Sequence, residues 1–584
     1  MKNTVVYRIV ILSIVFLLSG ICFAPGSIPQ RFKLDNWQSQ MMLDGQILFA
    51  PMNSFTTYLI DKNGEINHTW SSSYLPGEAV YWLNDGTILR TAKIAPTGSG
   101  AGGGIQKIAW DGTVVWDYRY YTSQVLSHHD IEPLPNGNIL LIAWETKTQY
   151  EAIAAGRNPN LVGTIFKPDH IIEVKPTGPT SGDIVWEWHA WDHLIQDYDS
   201  SKENFGIVAD HPELIDINYG TSPEDWLHCN SIDYNEEFDQ ILISSKYFHE
   251  IWVIDHSTTT AEAAGHTGGQ SGKGGDILYR WGNPVTYRAG TPSDEKLFSQ
   301  HDARWIDPGC SGEGNILIFN NGKNRPVTKY SSVDEIIPPI DENGSYYRAA
   351  NAAYGPENPI WSYTTTPLTN FYADFLSSAQ RLPNGNTLIC NGPAGRFFEV
   401  TPQKETVWEY VNEYPAPLLN NVFKIDYVPL VEPPEPKIPD LDCTGSLSWS
   451  KVKPGETVTG SFQLQNIGGA DSLLNWTLNG SSITWGIWSF TPDSGENLRP
   501  EDGPITIEVT VIAPNEKKSK FEGYLHVENR QNSSDFDVVP ILLNTPLSFT
   551  AFRWTIFHQL IVHFLQRHER IENLWSYFFT STQA

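Results

Sequence analysis

The chain is poor in cysteine and in basic residues, and each shortage excludes a class of protein. Five cysteines in 584 residues are too few and too dispersed for a disulfide scaffold or a paired-cysteine zinc site, although one or two ordinary disulfides could form. Lys and Arg number 39 against 67 Asp and Glu, which gives a formal net charge of −28. This acidic excess repels a polyanion, so we expect no nucleic-acid partner.

Long apolar runs are also scarce, and the one that stands out lies at the start of the sequence. Lys2 and Arg8 precede the largely apolar residues 9–23, and Ala24 follows them. A basic start, a short apolar run and a small residue at its end are typical of a secretory signal. We interpret residues 1–24 as a signal peptide or as an uncleaved N-terminal anchor that would associate the protein with a membrane. Either interpretation predicts an extracytoplasmic protein that is secreted, periplasmic or held at the cell surface.

Aromatic residues, glycine and proline are plentiful. Aromatics make up 12% of the chain, with 21 Trp, 46 Gly and 39 Pro, a composition typical of many short strands joined by tight turns. A turn followed by a short apolar strand recurs six times, at Asp44-Gly45, Asp85-Gly86, Asn136-Gly137, Phe238-Asp239, Glu313-Gly314 and Asn384-Gly385. The Asn-Gly and Asp-Gly pairs predict hairpins with type I′ turns.

A second predicted hairpin in each repeat ends on a tryptophan, at Trp70, Trp116, Trp186, Trp281, Trp361 and Trp408. Four strands per repeat predict an all-β fold in which residues 37–428 form a six-bladed β-propeller, with these aromatic side chains packed between blades. Residues 189–226 look like a partly helical insertion over one mouth of the channel. The Gly-rich residues 261–275 are interpreted as a mobile lid.

Past the repeats, the composition changes. Residues 429–440 form a Pro-rich linker, and residues 441–545 show period-two alternation in stretches such as Val458 to Leu464. This pattern over about 100 residues predicts an immunoglobulin-like β-sandwich. No structure is predicted for the tail, residues 546–584.

Three of the 16 histidines stand just upstream of a predicted first turn: His129, His228 and His301. The sixth repeat has Ser377 in this slot, so the fold itself does not require histidine there. Inner strands line a propeller channel, so the three side chains should converge, and strand alternation puts Asn230 on the face of His228. Buried structural histidines are the plainer alternative. Zinc ligation is disfavoured because such sites usually include a carboxylate or a thiolate.

The segments around these histidines resemble the arylsulfotransferase family. The resemblance is densest in Asp225-Trp226-Leu227-His228-Cys229-Asn230-Ser231-Ile232-Asp233-Tyr234, and it continues through Gln240 to Lys246 and Phe298 to Ala303. It extends over most of residues 40–415. The family moves a sulfuryl group between phenols without a nucleotide sulfate donor.

The resemblance implies that His301 becomes transiently sulfated and that His129, His228 and Asn230 are further active-site residues. The expected partners are a phenolic sulfate donor and a phenolic acceptor, with no cofactor and no metal. Lys246 departs from the family pattern, which has arginine here, and lysine offers an oxyanion a point charge instead of a bidentate fork. Arg325 and Arg396 are candidates to compensate. The oligomeric state is left open.

A non-catalytic binding or adhesion propeller at the cell surface is the alternative function. It is motivated by Lys246 and by the appended sandwich domain, and it treats the histidine slots as vestigial.

Overall fold

The computed structural model describes residues 41–83, 85–95, 100–430 and 438–546. Its contacts divide the chain between Glu432 and Pro433 into two compact units. The predicted signal peptide or anchor, most of the predicted linker and residues 547–584 of the tail lie outside the described ranges. Within those ranges, no helix is long and apolar enough to cross a membrane.

The first unit contains six four-stranded antiparallel sheets, numbered here 1 to 6 along the chain. The strands of each sheet are given in order from the inner to the outer strand. Sheet 1 contains Val422–Val428, Gln46–Pro51, Thr56–Asp61 and Ile66–Ser71; sheet 2 contains Pro76–Trp82, Ile88–Lys93, Gly103–Ile108 and Val114–Arg119; and sheet 3 contains Val125–Pro133, Ile139–Glu145, Asp169–Gly178 and Ser181–His189. Sheet 4 contains Cys229–Asn235, Gln240–Ser245, Glu250–Asp255 and Tyr279–Trp281; sheet 5 contains His301–Trp305, Ile316–Asn320, Ser332–Ile336 and Trp361–Tyr363; and sheet 6 contains Ser378–Arg381, Thr387–Asn391, Arg396–Val400 and Thr406–Val411. The predicted all-β class is confirmed, with four-stranded antiparallel sheets repeated along the unit.

Sheet 1 is assembled from both ends of the unit. Its inner strand, Val422–Val428, pairs antiparallel with Gln46–Pro51, which lies more than 370 residues earlier. The Asp44-Gly45 pair therefore precedes a strand and does not form the turn of a local hairpin. This pairing removes two strand edges that would otherwise be exposed.

The hairpin turns differ from the type I′ prediction. In the turn at Asn136-Gly137, only the glycine has a positive φ, 84°. Gly137 N donates to Leu134 O at 2.9 Å, and Asn138 O accepts from Leu134 N at 2.9 Å, as in a type I turn that ends in a left-handed glycine. The Asn136 side chain accepts from Asn138 N at 2.9 Å, so the asparagine stabilises this turn without a positive φ of its own.

The six predicted tryptophans occupy the outer strands and link each sheet to the next. Each indole N–H donates to the connection between the third and fourth strands of the following sheet, or, for Trp116, to the first residue of the fourth strand, and the sixth bond returns to the first sheet. The bonds are Trp70 to Ala109 O, Trp116 to Ser181 O, Trp186 to Thr258 Oγ1, Trp281 to Pro356 O, Trp361 to Pro402 O and Trp408 to Lys62 O. The series of sheets therefore closes on itself.

Inner strands are linked in the same direction by side chains that accept backbone N–H bonds. Asp130 accepts from Ile232 N, Asp233 from Trp305 N, Asp302 from Ala379 N, Gln380 from Tyr427 N, and Asp426 from Trp82 N. These bonds satisfy donors on the free edges of the inner strands of sheets 4, 5, 6, 1 and 2, which would be costly to bury without a partner.

Two insertions in sheets 3 and 4 pack against each other. Residues 146–168 contain the helix Gln149–Ala154, the 3₁₀ turn Pro159–Leu161 and the short pair Lys147–Thr148 with Ile165–Phe166. Residues 189–226 contain the 3₁₀ turns Ala190–Asp192 and Val208–Asp210 and the parallel pair Leu194–Ile195 with Ile215–Asp216. Arg157, which is fully buried, joins them through bonds to the carbonyls of Leu161 and Ser222, among others.

The Gly-rich residues 261–275 begin within the short helix Thr260–Ala263 and pack on the outer strand of sheet 3, where Trp188 Nε1 donates to Gly275 O at 2.7 Å. The interpretation of these residues as a mobile lid stays a prediction. The remaining 3₁₀ turns of this unit are Pro284–Tyr287, Pro292–Asp294, Leu368–Asn370 and Gly392–Ala394.

The second unit, described from residue 438 to 546, contains two sheets around one apolar core. One sheet orders Leu441–Thr444, Thr457–Asn466, Ile505–Ile512 and Ile487–Thr491, and the other orders Leu447–Trp449, Phe536–Thr545, Ser519–Asn529, Leu474–Asn479 and Ser494–Leu498, with a 3₁₀ turn at Pro500–Asp502. Phe462, Trp476 and Val527 are among the buried side chains that these sheets share.

Within the described residues of the first unit, the cysteines form no cross-link. Cys229, Cys310 and Cys390 carry no disulfide. Cys229 and Cys390 are buried apolar side chains, and burial raises the pKa of both thiols well above the usual range.

The bond that returns from sheet 6 to sheet 1 can be tested by substitution. Trp408→Phe removes a buried donor 2.6 Å from Lys62 O and leaves that carbonyl unsatisfied, so we expect a loss of about 1–3 kcal/mol in the free energy of unfolding. Urea denaturation measures the change. Trp361→Phe is the matched control, because its bond to Pro402 O is exposed and water can replace it. Equal losses in the two variants would contradict the role given to the buried bond.

Candidate active site

The three predicted histidines lie where inner strands of sheets 3, 4 and 5 bend. His129 is within the inner strand of sheet 3, His228 immediately precedes that of sheet 4, and His301 begins that of sheet 5. His129 has a φ of 53° and His228 a φ of 52°, and the strand register shifts at or beside each histidine. Non-glycine residues in this conformation carry backbone strain of about 1–3 kcal/mol each, and such strain concentrates at functional sites.

A buried ionic cluster anchors two of these bends. Asp130 follows His129 and Asp302 follows His301, and Lys424 Nζ lies 3.2 Å from Asp130 Oδ2 and 3.3 Å from Asp302 Oδ1. Lys424 comes from the inner strand of sheet 1 and is itself buried. One cation from the closing strand thus holds the two histidine-bearing strands, and an unpaired charge at this depth would be strongly destabilising.

His228 is oriented by an ion pair on one nitrogen and by a cation on the other. Its Nδ1 lies 2.5 Å from Asp225 Oδ2, and its Nε2 lies 3.3 Å from Lys246 Nζ. A carboxylate accepts and an ammonium donates, so His228 carries its proton on Nδ1 and accepts at Nε2. Asp225 also accepts from Trp144 Nε1 at 3.1 Å. Asp225, near the end of the insertion 189–226, therefore fixes the tautomer of His228.

His129 packs edge to face against His228, with ring centroids 4.6 Å apart. Its Nδ1 lies 2.8 Å from Nδ1 of His128, and its Nε2 lies 3.9 Å from Glu78 Oε2. A Cβ on Gly100 would come within 2.0 Å of the His129 ring, so only glycine fits there.

His301 is held in one tautomer by Asn321. Its Nδ1 lies 2.7 Å from Asn321 Oδ1, while Asn321 Nδ2 donates to the carbonyls of Ala373 at 2.7 Å and Leu376 at 2.9 Å. Two carbonyl acceptors require the NH₂ group on their side, so the amide oxygen faces His301 and accepts its Nδ1–H. The lone pair of His301 Nε2 is thereby left available for attack.

Phe423 lies between two of the histidines. Its ring centroid is 6.1 Å from that of His129 and 6.3 Å from that of His301. It belongs to a small buried apolar cluster with Ala79 and Leu376. The site therefore has an apolar wall beside its imidazoles.

Asn230 is also brought to this centre. Its Nδ2 donates to Gln300 O at 2.8 Å, one residue before His301, and a register shift in its strand interrupts the simple alternation expected from the sequence. Cys229 packs into the apolar core instead. Among the described side chains, Asn230 Oδ1 and Glu78 Oε2 are buried without a hydrogen-bond partner.

Burial keeps the site histidines neutral at pH 7. It lowers the pKa of His301 well below the usual value, with the nearby charge of Lys246 adding to the effect. Burial and the neighbouring histidines do the same to the pKa of His129, and the pKa of His228 is lowered as well, by burial and Lys246 against the opposing bond to Asp225. Neutral imidazoles can act as nucleophiles or as N–H donors.

Beside these imidazoles lie the cationic Lys246 and a glutamic acid, Glu78, that burial keeps protonated and neutral. Burial raises the pKa of Glu78 to about 8, against the opposing charges of Lys246 and Lys93, so Glu78 is mostly neutral at pH 7. Burial lowers the pKa of Lys246, and the nearby Lys323 lowers it further. The site thus combines cations with neutral donors, as a bound oxyanion requires.

The two arginines that could compensate for Lys246 are engaged elsewhere. Arg396 forms a bidentate pair with Glu409, at 2.8 and 2.9 Å. Arg325 bonds to Tyr330 O and Ser332 Oγ. Neither arginine has a contact with His129, His228 or His301 among the hydrogen bonds and ion pairs of the described residues.

Sequence reasoning missed several residues of the site. Asp225 lies three residues before His228, in the segment that resembles the arylsulfotransferase family, and this spacing could have identified it as a partner of His228. Asn321 stands in a polar pair, Asn320-Asn321, at the end of a buried strand. Glu78 and Phe423 had no local signal, because they approach from sheets 2 and 1.

Comparisons with known proteins agree on one family. A family model described as arylsulfotransferase (ASST) matches residues 37–427. Arylsulfate sulfotransferase AssT of Escherichia coli O6:H1 is 24% identical over 320 residues, which cover 50% of this chain and 49% of that protein. The chain thus aligns with about half the length of this curated relative.

Two solved structures show weak likeness. A protein of unknown function from Bacteroides caccae has 12% identity and a TM-score of 0.37, covering 66% of this chain and 99% of that one. A streptogramin B lyase has 12% identity and a TM-score of 0.30, covering 63% and 79%. Both TM-scores are below 0.5, and we infer nothing from them.

The protonation of the site can be read by NMR. At pH 7 we expect His301 to be neutral with its proton on Nδ1, whereas His256 should be charged, because its bonds to Asp239 and Glu173 outweigh burial and raise its pKa to about 9. Two-bond ¹H–¹⁵N correlation spectra of ¹⁵N-histidine-labelled protein distinguish these forms, with His301→Asn and His256→Gln to assign the signals. A charged His301, or one with its proton on Nε2, would refute the assignment.

Proposed function

This chain belongs to the arylsulfotransferase family, and we propose that it transfers a sulfuryl group from a phenolic sulfate ester to a phenolic acceptor through a sulfated His301, without a nucleotide sulfate donor. The observation that carries the proposal is the Asn321 amide, which accepts from His301 Nδ1 and leaves the Nε2 lone pair for attack. Family membership supplies the reaction class.

In the first step, the lone pair of His301 Nε2 attacks the sulfur of the donor. The N–S bond forms, the bond between sulfur and the phenolic oxygen breaks, and its electron pair leaves with that oxygen. An acidic phenol leaves as its anion, whereas a less acidic one takes a proton from Glu78, which burial keeps protonated. His129 and Asn230 contact the sulfuryl oxygens, His228 Nε2 accepts from Lys246 and positions it, and the Lys246 ammonium stabilises the negative charge.

In the second step, the hydroxyl oxygen of the acceptor attacks the same sulfur. The N–S bond breaks and its electron pair returns to His301 Nε2. The acceptor proton goes to Glu78 where the first step has deprotonated it, and to the departed phenolate or to water where the first phenol left as its anion. The sum of the two steps exchanges one phenol for another and leaves the protein unchanged, which predicts ping-pong kinetics.

Lys246 performs the charge-stabilising role with a single ammonium. Its Nζ donates to His228 Nε2 at 3.3 Å, so a sulfate oxygen would share a donor that His228 also uses. A lysine positions an oxyanion less strictly than the bidentate arginine of the family pattern, so we expect a broader donor range at lower rates.

We place the aryl ring of a substrate against the apolar cluster that contains Phe423. Phe423 lies beside both His129 and His301, with Leu376 and Ala79 in the same cluster. Offset or edge-to-face stacking on Phe423 would bring a phenolic ester close to His301 Nε2.

The proposal takes the six sheets as the blades of a β-propeller over residues 37–428, with the histidines at its channel. It takes residues 429–440 as a linker and residues 441–545 as an immunoglobulin-like domain, which the two sheets around one core support. The protein acts outside the cytoplasm, on the strength of the sequence of residues 1–24.

A binding or adhesion protein is the second candidate, and Lys246 is what favours it. In that case the histidines keep their geometry but transfer no sulfate. A folded protein that releases no phenol from several aryl sulfates, and that Lys246→Arg does not activate, would favour this candidate.

The first test is release of 4-nitrophenolate from 4-nitrophenyl sulfate by protein that lacks residues 1–24, with and without a second phenol. We expect release that depends on the acceptor, and a sulfate on His301 when the acceptor is omitted, detected by mass spectrometry of rapidly quenched peptides. His301→Asn should lower the rate at least about 10³-fold, because the nucleophile is lost.

His68→Asn is the matched control, because His68 lies on the outer strand of sheet 1 and its removal leaves the site intact. A full rate in folded His301→Asn protein would overturn the assignment of the nucleophile. Release into water with no effect of acceptor would indicate a sulfatase.

The pH dependence tests Glu78. Its carboxyl is neutral below its pKa of about 8 and negative above it, so the rate of 4-nitrophenolate release in a single turnover should fall above pH 8, since a carboxylate repels the sulfate. His129, Lys246, Lys93 and Asp130 are the charged or titratable groups that act on it.

Glu78→Gln stays neutral at every pH, so it should lose most of this alkaline decline. The same variant should be slow with donors whose phenols are weakly acidic, because their leaving oxygen needs a proton. An unchanged alkaline decline in Glu78→Gln would assign the titration to Lys246 instead.

A further inference from the structure

A second group of histidines lies apart from the site above, where three segments meet. His193 follows the 3₁₀ turn Ala190–Asp192 in insertion 189–226, His266 lies in the Gly-rich residues 261–275, and Asp276 precedes the outer strand of sheet 4. In the described part of the chain, this is the one group of at least three such side chains whose ligand atoms converge, all within 4.8 Å of one another.

Both imidazoles meet the same carboxylate oxygen. His193 Nδ1 lies 2.8 Å and His266 Nδ1 2.7 Å from Asp276 Oδ1. His193 and Asp276 are buried, whereas the His266 side chain is 58% exposed. The cluster is therefore closed on one side and open to solvent on the other.

His193 and Asp276 turn their facing atoms toward each other in a buried place. His193 Nε2 lies 2.8 Å from Ala263 O, and a carbonyl only accepts, so this nitrogen carries a hydrogen. His193 Nδ1 and His266 Nδ1 then converge on Asp276 Oδ1 from two different segments, as the ligands of one cation do.

We propose that His193 Nδ1, His266 Nδ1 and Asp276 Oδ1 bind a divalent zinc ion, with water as the fourth ligand on the exposed side. Two imidazoles and a carboxylate are a zinc ligand set, and bonds of about 2.0–2.2 Å require each of the two nitrogens to move only roughly half an ångström away from Asp276 Oδ1. The proposal does not depend on sulfuryl transfer.

The surroundings of His193 are those of a metal ligand. The bond from Nε2 to Ala263 O fixes the tautomer and aims Nδ1, as the outer partners of metal-bound histidines do. Trp188 stacks on the ring at 5.7 Å with an interplanar angle of 7°, and its Nε1 is held by Gly275 O at 2.7 Å. The ring cannot turn away without breaking these contacts.

A zinc ion here would join the Gly-rich residues 261–275 to the insertion 189–226. Both segments are short of regular secondary structure, so a metal bond contributes stability that their backbone does not supply. We expect the ion to be structural and its removal to loosen residues 261–275 first.

The test is calorimetric titration of the metal-stripped full chain with Zn²⁺, together with elemental analysis. We expect one zinc ion per chain at micromolar affinity or tighter, and at least about 100-fold weaker binding in His266→Ala. His211→Ala is the matched control, since His211 is also exposed and pairs with a single carboxylate, Glu213. It should bind zinc like the unaltered chain.

Two further readouts keep the result independent of folding defects. Co²⁺ in place of zinc should give the strong visible absorption of a tetrahedral site, and Zn²⁺ should slow proteolysis within residues 261–275 of the unaltered chain but not of His266→Ala. Absence of stoichiometric zinc binding by the unaltered chain, or equal binding by folded His266→Ala, would overturn the proposal.

Discussion

The closed series of indole hydrogen bonds is the constraint on which the rest of the first unit depends. Each outer-strand tryptophan fixes its sheet to the next, and the bond from Trp408 to Lys62 O completes the circuit. The candidate site draws its side chains from different sheets: Glu78 from sheet 2, His129 from sheet 3, His228 from sheet 4, His301 from sheet 5 and Phe423 from sheet 1. A slip between any two sheets would change distances at the centre, so peripheral bonds set the geometry of the imidazoles.

The protein as a whole is strongly acidic, yet its candidate site suits an anion. The net charge of −28 would slow the approach of a sulfate ester, whereas the site combines Lys246 with neutral imidazoles and a protonated Glu78. Burial contributes to this contrast, because it disfavours charge on Glu78 and on the imidazoles, while Lys246 remains beside them as a cation. The local field therefore depends on the exclusion of water.

The sequence allowed the repeat, the all-β class, the six tryptophans and the three histidines to be predicted, because each leaves a local signal. Turn chemistry, strand alternation and motif spacing depend on neighbours in the chain. Other features had no such local signal. These are the left-handed conformations of His129 and His228, the pairing of Val422–Val428 with Gln46–Pro51, and the approach of Glu78 and Asn321 to the histidines. They follow from tertiary packing. The expected type I′ turn is replaced by a type I turn with a left-handed glycine because the Asn136 side chain accepts the backbone N–H of Asn138.

The inner strand of sheet 1 has a consequence for biosynthesis. Val422–Val428 brings both Phe423 and Lys424 to the centre, yet it is the last strand of its unit to leave the ribosome. Until then, Asp130 and Asp302 lack the lysine that neutralises them, and the strand Gln46–Pro51 has an open edge. A nascent or truncated chain would hold every histidine of the site and still lack Phe423 and Lys424, so the geometry of the site should form all at once when the last of the six sheets closes and not in proportion to the length synthesised.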